Sequence, residues 1–118
     1  MHELSIAYNL IEIAAAEAGN RHVEAVNLRI GALSGVVKEA LLFAYEIAAA
    51  GTPLAGSRLQ IEEVPVEVYC AACGHTTSLD SLQAFRCAHC GAPTADIRQG
   101  KELEIVSLEV ADEQPAYP

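Results

Sequence analysis

Two cysteine pairs carry the clearest chemistry in this sequence. Cys70 and Cys73 form one Cys-x-x-Cys pair and Cys87 and Cys90 form the other, so all four cysteines of the chain are used. Four thiolates from two short loops meet the tetrahedral preference of a borderline-soft divalent ion, and zinc is the usual occupant of a site with sulfur ligands only. Such a site leaves no position for water. We therefore expect these cysteines to hold a structural zinc ion.

Two other interpretations of the four cysteines stay open. An even count in a short chain can form two disulfides, but the first residues lack the pattern of a signal peptide, and we expect a cytoplasmic protein with reduced thiols. Iron in a rubredoxin-like cage uses the same ligands, although between the two pairs only Phe85 could supply an aromatic shell. His75 and His89 lie beside the cysteines and could exchange with one, tune the cage, or simply face solvent.

The start of the sequence, Met1-His2-Glu3, offers a second set of metal donors. A terminal amine, the deprotonated amide nitrogen of His2 and its imidazole Nδ1 can close two fused chelate rings on one ion. Nitrogen donors in a planar or tetragonal arrangement suit nickel(II) or copper(II) better than zinc. A second residue at a frayed terminus can also have no role, and on spacing alone this interpretation is favoured.

Composition limits the possible partners. Sixteen acidic against seven basic residues give the 118-residue chain a formal charge of −9, and 52% of its residues are apolar. The apolar content is enough for one domain with its own core. Because an acidic surface repels phosphate backbones, we expect no nucleic-acid binding, and we expect no membrane insertion. An enzyme is the weakest class, since no nucleophile and base pair or open catalytic metal position is recognisable.

The pattern of apolar residues indicates which elements must position these donors. Helical spacing predicts helices over residues 3–18 and about 36–50. Alternation predicts strands over residues 22–30, about 58–69 and 103–110, with Pro65 marking a bulge or an edge in the second of them.

These elements predict an α+β fold. Two helices would pack on one face of a three-stranded mixed sheet, with an inserted four-cysteine zinc-ribbon module. The larger, nickel-binding domain would comprise residues 1–68 and 97–110. Residues 69–96 would form the zinc-binding module, and residues 111–118 a flexible tail.

Five sequence motifs occur together in a fixed order. They are Met1-His2-Glu3-Leu4-Ser5, Ile30-Gly31-Ala32-Leu33-Ser34-Gly35-Val36, Leu42-Phe43-Ala44-Tyr45-Glu46, Gly51-Thr52-Pro53 and the two cysteine pairs. In order and spacing they resemble the HypA/HybF family of hydrogenase-maturation nickel metallochaperones. The resemblance covers about residues 1–110.

The resemblance implies a role for the amino terminus. His2 would be the principal nickel ligand, and the Met1 amine with the backbone nitrogens of His2 and Glu3 would complete the shell. Some members carry an acidic residue near the start of the second helix, where this chain has Val37. Glu39, two places on, lies roughly 200° round the helix, which leaves a fourth protein ligand open.

The resemblance also implies partners and a working hypothesis. The partners would be the maturation GTPase HypB and the large subunit of a [NiFe]-hydrogenase. The protein would be a nickel chaperone with a transported Ni(II) and a structural Zn(II). The alternative is a zinc-ribbon adaptor that mediates protein contacts and has no physiological nickel site.

Overall fold

The computed structural model describes residues 2–79 and 85–111, which form two helices and six strands. The strands lie in two three-stranded sheets, one of order β2-β1-β6 and one of order β4-β3-β5. The predicted α+β class is confirmed. The elements are α1 (Glu3–Glu17), β1 (Val23–Gly31), α2 (Lys38–Ala49), β2 (Arg58–Val64), β3 (Glu67–Cys70), β4 (His75–Ser78), β5 (Asp96–Gln99) and β6 (Leu103–Val110).

The two helices pack against each other. Five of their nine buried positions are alanine, which lets the helix axes approach closely. The larger buried side chain of Tyr45 places its hydroxyl 2.6 Å from Ser57 Oγ, so that its polar group is satisfied. The buried residues are Ala7, Leu10, Ile11 and Ala14 of α1, and Leu41, Ala44, Tyr45, Ala48 and Ala49 of α2.

The central strand β1 has a parallel neighbour on one side and an antiparallel neighbour on the other. Toward β2, the hydrogen bonds at its two ends join residues whose numbers rise together. Toward β6, they join residues whose numbers run in opposite directions, so the sheet is mixed, as predicted. The bonds are Val23 N to Pro53 O (2.9 Å), Ala32 N to Val64 O (2.9 Å), Gly31 N to Glu102 O (2.7 Å) and Ala111 N to His22 O (2.8 Å).

The prediction of one strand over residues 58–69 is wrong. β2 ends at Val64, β3 begins at Glu67, and the two belong to different sheets. Pro65 lies between them and has no N–H to donate to a sheet. The change in apolar alternation near this point therefore marks a change of sheet rather than a bulge. The short strands β4 and β5 were not predicted, because their sequences are mostly polar and show no alternation.

The chain divides into two compact units. The first takes the chain up to Leu28, Gly35–Glu62 and the part from Glu104 onward, and the second takes Arg29–Ser34 and Glu63–Leu103. The functional division at residues 69–96 stays a prediction, and residues 112–118 of the predicted tail lie outside the described residues. Neither described helix is long and apolar enough to cross a membrane.

Gly31, at the end of β1, lies against another part of the backbone. A Cβ atom built at Gly31 would stand 2.1 Å from Gly100 O and 2.6 Å from Glu102 N. The close approach is held by hydrogen bonds from Gly31 N to Glu102 O and from Leu33 N to Gly100 O, both 2.7 Å. Only glycine fits at this crossing, because both of the clashing atoms belong to the backbone.

We expect Gly31→Ala to lower the free energy of unfolding by about 3 kcal/mol or more, since the added methyl group must displace backbone and break these bonds. Gly51→Ala is the control: its φ is +77° but no atom lies within 4 Å of its Cβ position, so it should cost only the backbone strain of about 1 kcal/mol. Urea unfolding of both variants measures the difference. Equal losses would show that the crossing is not tightly packed.

Candidate metal centres

The four cysteine sulfurs meet at one point in the second unit. Cys70 is the last residue of β3, Cys73 lies in the turn that leads to β4, and Cys87 and Cys90 come from the loop before β5. Their sulfur atoms all lie within 4.8 Å of one another. The cysteines that sequence analysis assigned to one metal site are therefore brought together by the fold.

The sulfur separations match a metal cage and not a pair of disulfides. Cys70 Sγ lies 3.6 Å from Cys90 Sγ, and Cys73 Sγ lies 3.7 Å from Cys87 Sγ. A disulfide requires about 2.05 Å. A zinc ion with four sulfurs at about 2.3 Å places neighbouring sulfurs about 3.8 Å apart, which is close to both observed distances. The donor set therefore fits a tetrahedral ion.

Both cysteine loops have the same local structure. Gly74 N donates to Cys70 O at 2.7 Å, and Gly91 N donates to Cys87 O at 2.8 Å. Both glycines have positive φ, of 76° and 77°, which they adopt without a Cβ penalty. Each loop thus turns sharply after its second cysteine, which brings the two sulfurs of the pair to the same side.

The surroundings of the cage displace the pKa values of two of its thiols. Backbone N–H groups, first that of Cys90 and also that of His89, lower the pKa of Cys87 to about 6. Desolvation raises the pKa of Cys73 to about 12. Sulfur atoms this close cannot all carry negative charge unless a cation lies among them, so a divalent ion would displace the protons of the less acidic thiols.

Two histidines border the cage. His75 and His89 are exposed, and their ring centroids lie 4.1 Å apart. His75 lies opposite Cys70 in the β3–β4 pair. The fold therefore brings together two histidines that lie 14 residues apart in the sequence.

Two threonines that were not predicted as site residues join the two cysteine loops to the small sheet. Thr77 Oγ1 of β4 accepts the N–H of Ala88 at 3.2 Å. Thr94 Oγ1 donates to the carbonyl of Tyr69 in β3. Neither threonine belongs to a sequence pattern that could identify this role.

The amino-terminal candidate site begins α1. His2 is the N-cap residue, its side chain is exposed, and its carbonyl accepts Ile6 N–H at 3.2 Å. The first turn of the helix therefore fixes the backbone that carries the imidazole. Met1 lies outside the described residues.

Glu3 connects the start of α1 to the start of α2. Its Oε2 accepts the backbone N–H of Val37 at 3.1 Å. Val37 is the N-cap of α2 and makes no side-chain cap of its own, so the carboxylate of Glu3 supplies negative charge at the positive end of that helix. This contact spans 34 residues. The sequence assigned Glu3 only a backbone role, and nothing in a single sequence indicates such a distant partner.

The contact also sets the charge state of Glu3. The Val37 amide, followed by the amide of Glu3 itself, holds the pKa of this carboxyl below its ordinary value. The interaction is therefore complete at neutral pH and is lost only as pH falls through that lowered pKa. Some members of the family that this chain resembles carry an acidic residue near the start of the second helix. In this chain the residue there is Val37, and its backbone amide donates to the carboxylate of Glu3. Glu39 is exposed in the first turn of α2.

Comparison with known proteins identifies the family of this chain. A family model described as hydrogenase/urease nickel incorporation metallochaperone, hypA, matches residues 1–110. The hydrogenase maturation factor HypA of Chloroflexus aggregans is 56% identical over 112 residues, which cover 92% of this chain and 98% of that protein. The factor of the same name from a Roseiflexus species is 52% identical over 118 residues, with 98% and 96% covered.

Solved structures give the same result. The solution structure of the nickel metallochaperone HypA from Helicobacter pylori is 29% identical and covers 96% of this chain and 100% of its own, with a TM-score of 0.62. The model that matches residues 1–110 includes the amino terminus and both cysteine pairs. This chain therefore belongs to the HypA family of nickel metallochaperones that act in hydrogenase maturation.

Proposed function

We propose that this protein binds Ni(II) at Met1-His2-Glu3 and delivers it for the maturation of a [NiFe]-hydrogenase, with a structural Zn(II) held by Cys70, Cys73, Cys87 and Cys90. The observation that carries the proposal is the anchoring of the amino-terminal segment: Glu3 Oε2 accepts Val37 N–H at 3.1 Å while His2 stays exposed at the end of α1. The proposed nickel donors would thus be held in position and would also be accessible to solvent.

Nickel would be the transported ion, and the donors suit temporary binding. The imidazole of His2, its amide nitrogen and the Met1 amine would form fused chelate rings, and the Glu3 amide nitrogen could complete a planar set. Because the Glu3 carboxylate is engaged by Val37, it acts as a positioning group and not as a fourth donor. An exposed site with nitrogen donors from one short segment can be reached and emptied by a partner.

Zinc would have the opposite role. The four sulfurs, all within 4.8 Å of one another, would be its complete set of ligands, and the ion would supply the positive charge that keeps four thiolates together. With no open coordination position, the cage is structural and has no catalytic function. We accordingly propose a chaperone that is not an enzyme.

The proposed partners follow from the family and the charge. The GTPase HypB and the large subunit of a [NiFe]-hydrogenase would receive or transfer nickel in the cytoplasm. A formal charge of −9 favours basic docking surfaces on these proteins and opposes binding to nucleic acid.

We expect His2→Ala to weaken nickel binding by at least about tenfold, equivalent to about 1.4 kcal/mol, because it removes the imidazole and one chelate ring. His22→Ala is the control, since His22 lies directly before β1 and is given no metal role. A tag placed ahead of Met1 should cause a similar loss by converting the amine into an amide. Isothermal titration with nickel measures all of these proteins. Equal affinities throughout would refute the terminal site and favour the adaptor alternative.

We expect Glu3→Ala to reduce nickel affinity by about tenfold while leaving every proposed donor in place, because the segment loses its link to the Val37 amide. The melting temperature should fall modestly. Glu12→Ala, on an exposed part of α1, is the control and should change neither quantity. Nickel titration and thermal unfolding test this. A Glu3→Ala variant with the nickel affinity of the wild type would exclude a positioning role.

We expect purified protein to contain one zinc per chain and Cys73→Ser to lose it, since one thiolate of the cage is missing. The helices should remain folded, because they lie in the first unit. Ala72→Ser, in the same loop, is the control and should retain zinc. Elemental analysis gives the metal content, and amide exchange reports on the helices. Iron in native protein, or global unfolding of Cys73→Ser, would contradict the prediction.

A further inference from the structure

The outer face of α2 carries an apolar stripe that the proposed metal sites do not use. Phe43 and Ile47 lie one turn apart and are 68% and 51% exposed. Ala40 extends the same side of the helix, and Ala50, the C-cap residue, follows the helix directly; both are exposed. At 100° per residue, Phe43 and Ile47 point away from the buried Leu41, so they do not belong to the core of the first unit.

The stripe has an acidic margin. Glu39 and Glu46 are exposed, lie two turns apart, and stand about 40° and about 60° from Phe43 on the helix surface. The only basic residue of α2 is Lys38, which is half-buried at its start. A surface with an apolar ridge and a negative border is complementary to one with apolar residues and a positive border.

The charge pattern argues against two occupants that this chain itself could supply. A second copy would bring its own Glu39 and Glu46 to the contact, since a two-fold interface pairs the same surface with itself. The sequence after Ala111 contains Asp112 and Glu113 and no basic residue. Both would add negative charge to a border that is already acidic.

We propose that this stripe, Ala40, Phe43, Ile47 and Ala50, is the docking surface for an amphipathic helix of the nickel-delivery partner, one with an apolar ridge bordered by lysine or arginine. Large residues flanked by small ones along one helix face form a ridge that fits the groove of a second helix. Glu39 and Glu46 would pair with the basic border. The inference rests on the proposed function, because it identifies the surface by which the chaperone meets that partner.

The stripe and the nickel segment are connected through one helix. Glu3 holds the N-terminal end of α2 by the Val37 amide, and the stripe begins at Ala40 within the first turn. A partner helix on the stripe would therefore lie on the same helix that positions the nickel segment. Docking and nickel transfer could then occur on one encounter.

The test uses full-length chain and the maturation GTPase HypB of the same organism as the probe, in biolayer interferometry. Phe43→Ser and Ile47→Ser should each weaken binding by at least about tenfold, as expected for central apolar contacts. Glu46→Lys should slow association and reduce its dependence on salt. The matched control is Ile13→Ser, which removes an apolar residue of α1 that is 53% exposed and should leave binding within about twofold of the wild type, below the threshold for a hot spot.

Nickel titration of the same variants separates this inference from the proposed function. All four variants should bind nickel as the wild type does, since none supplies a donor or contacts Glu3. If Phe43→Ser alters the melting temperature, Ile47→Ser decides the result. Unchanged GTPase binding by both stripe variants, or no binding by the wild type, overturns the docking surface while leaving nickel binding intact. If His2→Ala loses nickel binding while these four variants keep it, the result would still support the terminal site.

Discussion

Four sulfur atoms within 4.8 Å of one another impose the strongest constraint on the second unit. Four thiolates at this distance would repel one another. Desolvation raises the pKa of Cys73, and backbone N–H groups lower that of Cys87. The surrounding sheet consists of three strands of four residues each. Strands this short bury little apolar surface, so the unit requires a cross-link at its centre. A divalent ion would meet this requirement and remove the charge conflict at the same time.

The first unit is stabilised in a different way. Its helices pack through alanine, and the fully buried Val23, Val26 and Leu28 place the centre of its core on β1. Within it the start of α1 is held by one exposed contact, the bond from Val37 N to Glu3. The amino-terminal segment is continuous with α1 and is joined to α2 by a hydrogen bond. These two attachments can keep its donor atoms in place while leaving them exposed to solvent. This is the arrangement that a transported ion needs and a structural ion does not.

The sequence predicted those features that depend on local pattern. Helical spacing placed α1 and α2 within one or two residues, and alternation placed β1 and β6. The cysteine spacing predicted one four-sulfur cluster, because the ligand geometry of a metal restricts how the loops can fold. The errors arose where distant parts of the chain decide the outcome. Pro65 separates two sheets, yet a proline in an alternating run is equally compatible with a bulge. Strands β4 and β5 exist because β3 offers both of its edges, and their own residues carry no β pattern.

The two metal sites differ in every property that controls selectivity. The cage offers four sulfurs in a tetrahedral arrangement, and the proposed terminal site offers nitrogen donors from consecutive residues, which favour a planar arrangement. Softness and geometry would therefore direct zinc to the cage and nickel to the proposed terminal site, even though both ions are divalent. Copper(II) would prefer the nitrogen donors over nickel by the Irving–Williams order. Ligand chemistry alone cannot exclude it, so nickel specificity must come from metal supply and from partners. A chaperone with an under-selective cargo site would depend on its docking surface, and the proposed docking surface on α2 would then have a role in specificity that the donors cannot fulfil.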